Sequence, residues 1–173
     1  MGPVPLRQYP FVLGSFLKDP LGSVRRPFDF SWPLIIALLA SCALVSGGIS
    51  GAISGQRLDF IVGLFVFPIT SVVSSIVFGF FIYYFFSLYR STFLDFRRLM
   101  SLVSVAVVPY FLFHSVAGYL MPIDLLGFAF TCVLMIVGLV EQFGLERKLC
   151  SKLMFSVAVL FCIAWTAAAI RGA

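Results

Sequence analysis

The chain is 173 residues long and carries a net charge of +5, from 12 Lys and Arg against 7 Asp and Glu. Charged residues make up 11% of it and hydrophobic residues 61%, where soluble domains are about 25% charged. A water-soluble globular domain is excluded, and the basic residues sit at the ends of apolar runs, so anionic lipid headgroups rather than nucleic acid are the expected counter-charge.

Residues 1–32 read as a cytoplasmic tail ahead of one membrane domain, 33–173. In the tail, Phe11, Val12, Leu13, Phe16 and Leu17 lead to Lys18 and then to Arg25 and Arg26. Two readings stay open: a short amphipathic segment on the inner leaflet, or a loosely ordered tail. The first apolar run starts at Pro33 and is about 21 residues long, too long for the apolar core of a cleavable leader, so a retained span is expected. Phe28, Phe30 and Trp32 would form an aromatic belt before it, and Pro33 suits a first helical turn, where its missing N–H costs nothing.

A bilayer core takes about 20 helical residues to cross and tolerates no unpaired backbone. Five runs qualify: 33–53, 61–89, 100–119, 124–142 and 153–170. The second is the awkward one. Phe60 to Tyr89 contains no charge over 30 residues, about 45 Å of helix against about 30 Å of hydrocarbon. Only Pro68 offers a turn, so one long helix tilted or kinked at Pro68 is expected, with Ile61 to Phe67 at the outer surface. The third run should kink at Pro109, which cannot donate to the carbonyl of Val105. Leu120 to Ile123 would then form a tight outer hairpin.

The basic residues fix the orientation. The tail holds Arg7, Lys18, Arg25 and Arg26; the second connection Arg90, Arg97 and Arg98; the fourth Arg147, Lys148 and Lys152. These are ten of the 12, and only Arg57 and Arg171 fall on the other side. Short cytoplasmic loops carry the basic excess. The expected fold is therefore an all-α bundle of five transmembrane helices with its N-terminus cytoplasmic and its C-terminus outside.

Four cysteines make no disulfide framework. Cys42, Cys132 and Cys162 lie in apolar runs as small hydrophobes. Cys150 falls in the fourth loop as a reduced juxtamembrane thiol, with palmitoylation as the alternative.

Ala43, Gly47, Gly51 and Gly55 recur every fourth residue and form a small-residue stripe of the kind that lets helices approach closely in lipid. A homodimer contact is one reading and packing within the chain is the preferred one, with Ser71, Ser75 and Gly79 as the candidate partner stripe. His114 is the sole histidine, and an ionisable group at membrane depth is a functional candidate by default. Its one acidic neighbour at that end is Asp124, so a structural hydrogen bond is the expectation. Glu141 lies at the inner end of the fourth run, about 20 Å away in depth, where an ion pair with Arg147 or Lys148 is expected. No phosphate loop or metal-ligand spacing occurs, and Ser115 points elsewhere on the helix from His114. No catalytic site, cofactor or metal is expected.

From about residue 91 to 171 the chain resembles the Yip-domain family, named for interaction with Rab-type GTPases. The basic loop "TFLDFRRL" leads into Val105-Ala106-Val107-Val108-Pro109-Tyr110; Gly138, Leu139, Glu141, Gly144, Leu145 and Arg147 then match the family's Gly-Leu, acidic, Gly-Leu, basic pattern before a last apolar span. The resemblance implies five helices with a cytoplasmic N-terminus and, in eukaryotic members, vesicle traffic with Rab partners. The family's Asp-Leu-Tyr-Gly-Pro motif is missing before the first span, where Lys18-Asp19-Pro20-Leu21-Gly22 stands instead. The short tail is similar to the prokaryotic branch, whose role is undefined. A non-enzymatic protein that organises membrane or partner proteins is the expectation, in the inner membrane if bacterial and an endomembrane if eukaryotic, as a homo-oligomer or with another membrane protein. The alternatives are a small transporter or channel subunit, with His114 and Glu141 lining a path, and an accessory subunit of a larger membrane complex.

Overall fold

Backbone amides in hydrocarbon must close their hydrogen bonds within the segment, so long apolar runs are committed to helix. The computed structural model of the chain describes residues 9–27, 29–90, 93–117 and 123–172 and is all-α there. Its helices are α1 (Tyr9–Lys18), α2 (Pro20–Arg25), α3 (Trp32–Ser54), α4 (Arg57–Ile61), α5 (Phe67–Arg90), α6 (Phe96–Ala106), α7 (Val108–His114), α8 (Ile123–Phe143) and α9 (Arg147–Gly172). A π-helical turn, Val62–Val66, joins α4 to α5. Five stretches are long and apolar enough to cross a membrane: Trp32–Ser54, Arg57–Tyr89, Phe96–His114, Ile123–Phe143 and Arg147–Ala167.

The second span shows no hairpin. α4, the π turn and α5 run on without a break, and the irregularity lies one turn before Pro68 rather than at it. Phe67 N–H reaches back to Val62 O, five residues away. Proline has no N–H and its ring crowds the preceding turn; widening that turn by one residue accommodates the ring inside a continuous helix. Ile61 to Phe67 continues the same helix. It runs antiparallel along α3, level with Gly47 and Gly51.

The third span begins at Phe96, four residues earlier than the charges suggested. Asp95 caps it, accepting from Arg97 N (3.0 Å) and Arg98 N (3.3 Å), so two arginines fit inside the first turn. Its break falls at Val107, two residues before Pro109. Residues 115–117 leave the helix as a turn. The expected outer hairpin lies, apart from Ile123, outside the described residues.

α8 closes in a left-handed Gly144 (φ 65°), with Leu145 N donating to Leu139 O at 3.4 Å and the Leu145 side chain buried. Gly144 N also donates to Val140 O at 3.0 Å, the αL type of helix C-cap, and the turn lets α9 start at Arg147. Cys150 therefore sits in the first turn of α9, fully buried, and not in a loop open to acylation.

α6 is the axis of the bundle. Every residue from Leu99 to Ala106 is buried, against Leu34, Ile35, Leu38 and Leu39 of α3, Ile82 and Phe86 of α5, and Met135 and Leu139 of α8. α5 and α9 are outermost: the second and fifth spans are 11% and 17% buried, and the third is 56%. Phe30, expected in an interfacial belt, is core instead at 1% exposure; Trp32 stays exposed and lies 5.9 Å from the Phe96 ring. Phe28 lies outside the described residues.

The described part of the tail is largely helical and tied to the bundle. Phe16 and Val24 are buried, and Gln142 Nε2 donates to Val24 O at 2.6 Å. α1 leans along the side of the bundle, because Leu13 and Leu17 share a cavity of about 170 Å³ with Cys42 and Val45 of α3 and Val108 and Leu112 of α7. An inner-leaflet helix lying flat would reach none of these, since Cys42 is ten residues into α3.

Candidate functional site

The small-residue stripe meets the start of the second span. A Cβ on Gly47 would fall on the Gly63 carbonyl, and one on Gly63 would fall on the Gly47 carbonyl. A Cβ on Gly51 would stand 2.7 Å from both Asp59 O and Phe60 Cα. The two backbones touch with no side chain between them, which leaves dispersion contacts at short range as the source of attraction in lipid. Ala43 is buried on the same face. Gly55 serves another purpose: it ends α3 at φ 71° with open space around it. The expected partners lie elsewhere. Gly79 faces Met100 of α6, while Ser71 and Ser75 line a cleft described below.

At the other end of the bundle from Arg97, His114 Nδ1 lies 3.1 Å from Asp124 Oδ1, with side chains 20% and 14% exposed. The imidazole stacks on Phe67 at 4.3 Å and on Tyr110 at 5.8 Å. Three elements build this cluster: α5 supplies Phe67, α7 supplies Tyr110 and His114, and α8 supplies Asp124. α7 and α8 approach closely at Gly127, where a Cβ would stand 2.9 Å from Phe113 Cβ and 3.0 Å from Tyr110 Cα. One turn from Gly127, the Asp124 carboxylate then meets the histidine. Glu141 is 17 residues further along α8, about 25 Å. It is exposed, and among the described residues it makes no ion pair, with Arg147 and Lys148 exposed as well.

A long-range ion pair at that end is one the sequence did not suggest. Arg97 Nη2 sits 2.9 Å from Asp29 Oδ1 and 3.1 Å from Oδ2, and Phe30 N donates to Ser101 Oγ at 3.1 Å. Together these dock the segment between α2 and α3 on α6. Arg97→Gln should loosen that segment. A partly exposed pair contributes about 1 kcal/mol, so cleavage after Arg25 under limiting trypsin should rise about fivefold; an unchanged rate would deny the clamp.

The same contacts bring the basic residues together. α2, the start of α6 and the start of α9 meet at one end of the bundle, carrying Arg25, Arg26, Arg97, Arg98, Arg147, Lys148 and Lys152. Arg57 lies at the opposite end with Asp59 and Asp124. Arg7 and the side chains of Arg90 and Arg171 fall outside the described part.

Between these ends, a cleft of about 410 Å³ separates α5 from α7, α8 and α9. α5 packs on α6 but not closely on α7, since α7 departs from the α6 axis at Val107. Ser71, Ser74 and Ser75 line one wall. Tyr110, Phe128 and Phe161 form the other, with Phe128 and Phe161 stacked at 4.0 Å. Neither His114 nor Glu141 lines it, so no path joins the two candidates through it. The broken α6–α7 axis carries no apolar-periodicity signal; only Pro109 hinted at it.

A family model described as the Yip1 domain matches residues 18–169. That is nearly the whole chain, including the first two spans, and the chain belongs to this family. No curated protein and no solved structure matches it.

Proposed function

We propose that this Yip1-family membrane protein is non-enzymatic and organises partner proteins in the plane of the bilayer, with its basic end in the cytoplasm. One observation carries the reading. The second and fifth spans are 11% and 17% buried, and among the described residues α9 packs on α8 as its one substantial neighbour. Whole apolar faces, including Phe155, Leu160 and Ile163 of α9, point away from the bundle. Exchanging lipid for another helix on such a face removes no water, so packing and small polar contacts decide the partner. The basic end supports a cytoplasmic placement and contact with anionic headgroups. In a eukaryotic cell this end would face Rab-type GTPases on an endomembrane; in a bacterium the membrane is the inner one. The sole histidine is held by Asp124 and two rings, and Ser115 Oγ donates to Phe111 O at 3.0 Å, which favours a structural over a nucleophilic role.

The test is co-purification of the full chain from native membranes after mild solubilisation. A partner at fixed stoichiometry is expected with the wild type. It should be lost from the triple variant Phe155→Ala, Leu160→Ala, Ile163→Ala, whose own elution and melting stay the same. Absence of any partner, or equal recovery with both chains, would refute the reading.

A further inference from the structure

We propose that the cleft between α5 and the α7–α9 wall is a binding site for a neutral glycerolipid of the diacylglycerol type, held by the hydroxyls of Ser71, Ser74 and Ser75. A helical hydroxyl at membrane depth normally returns to a carbonyl of its own helix. Thr70 does so to Val66 O and Phe67 O, and Thr131 to Gly127 O. The three serines do not, and among the described residues their hydroxyls have no partner. Ser75 is only 7% exposed, and the cleft is what it lines. Leaving such groups unpaired in hydrocarbon is costly, so the cleft calls for an occupant with hydrogen-bonding oxygens.

The rest of the lining selects which occupant. No charged side chain lines the cleft, so nothing there compensates a phosphate or a carboxylate. Phe67, Phe78, Phe111, Phe128 and Phe161 supply apolar wall, suited to acyl chains. Ser75 lies 18 residues from Arg57 and 15 from Arg90, near the middle of its span. A charged headgroup is anchored at the interface, whereas a glycerol carrying one free hydroxyl and two esters can sink to that depth. The volume of about 410 Å³ falls within the roughly 300–1,000 Å³ of small-molecule sites. α5 and α9 do not pack closely on each other, which leaves a lateral mouth from the bilayer.

The experiment uses the full chain reconstituted in phosphatidylcholine vesicles with two photoactivatable, alkyne-tagged probes of identical chains, a diacylglycerol and a phosphatidic acid. Diacylglycerol should label peptides spanning Thr70 to Phe78 and Phe128 to Thr131, with excess unlabelled diacylglycerol suppressing the signal. Ser75→Ala, which changes no packing, should lower that labelling about fivefold, as expected for one hydrogen bond. Ser71→Phe should abolish it by filling the space. Labelling spread evenly over the lipid-facing surfaces, equal labelling by phosphatidic acid, or full labelling of a folded Ser75→Ala chain would each overturn the proposal.

Discussion

Gly51→Leu is expected to cost about 3 kcal/mol or more and to leave little monodisperse protein in detergent. The atoms in the way are Asp59 O and Phe60 Cα, both at 2.7 Å from where a Cβ would stand. Both are backbone, so no rotamer change relieves the clash, and α3 must part from the second span along its length. Overpacking of a rigid contact typically costs 1–3 kcal/mol, and more where nothing yields. A drop of roughly 10 °C in melting temperature would follow for a domain of this size. Gly48→Leu is the control. It makes the same change one residue away, where the nearest atom is Leu64 Cδ1 at 3.7 Å. That variant should melt with the wild type or slightly above it, since leucine is the better helix former. Equal behaviour of the two variants would mean that the crossing of α3 and the second span is not close.

The second large effect concerns the pair at the other polar cluster. Asp124→Leu is expected to cost about 2 kcal/mol, because it leaves His114 Nδ1 without its carboxylate at a position 20% exposed, and an orphaned polar group costs more than the bond it made. His114→Phe should cost a similar amount by orphaning Asp124, although phenylalanine preserves the stack on Phe67. Replacing both partners removes the orphan. The double variant should recover most of the loss, giving a coupling of more than about 1 kcal/mol in the cycle. Strictly additive melting shifts would show that the two side chains act independently.

The spans were legible because lipid enforces them. Charge-free runs with basic residues on alternate connections leave few alternatives, and the helices differ from the runs mainly where a capping side chain extends them, as Asp95 does for α6. His114 and Asp124 were legible together because the third and fourth spans are antiparallel and the two residues share an end. The partner of the glycine stripe was misplaced, yet a signal existed. With the turn at Gly55, residues equidistant from it face each other, and Gly47 with Gly63, or Gly51 with Asp59, both satisfy that symmetry. Ser71, Ser75 and Gly79 lie too far along the second span to do so.

Other features had no local signal. The Arg97–Asp29 pair joins residues 68 apart, and the sequence offers other acids to that arginine, Asp95 among them. The π turn answers to Pro68 but appears before it. The serines of the cleft look like any helix-packing stripe until α7 bends away at Val107 and leaves them facing space. Periodicity reports which face is apolar, and it says nothing of where two packed helices separate.

Three spans separate Gln56 from Lys148, and the whole orientation rests on that odd number together with the basic end being cytoplasmic. In a chain with its native cysteines changed to alanine, Gln56→Cys and Lys148→Cys can each be challenged with a membrane-impermeant maleimide in sealed vesicles whose cytoplasmic face is inward. The expected result is immediate modification at position 56 and modification at 148 only after permeabilisation. Modification of both from one side, or of 148 alone in sealed vesicles, would contradict the topology.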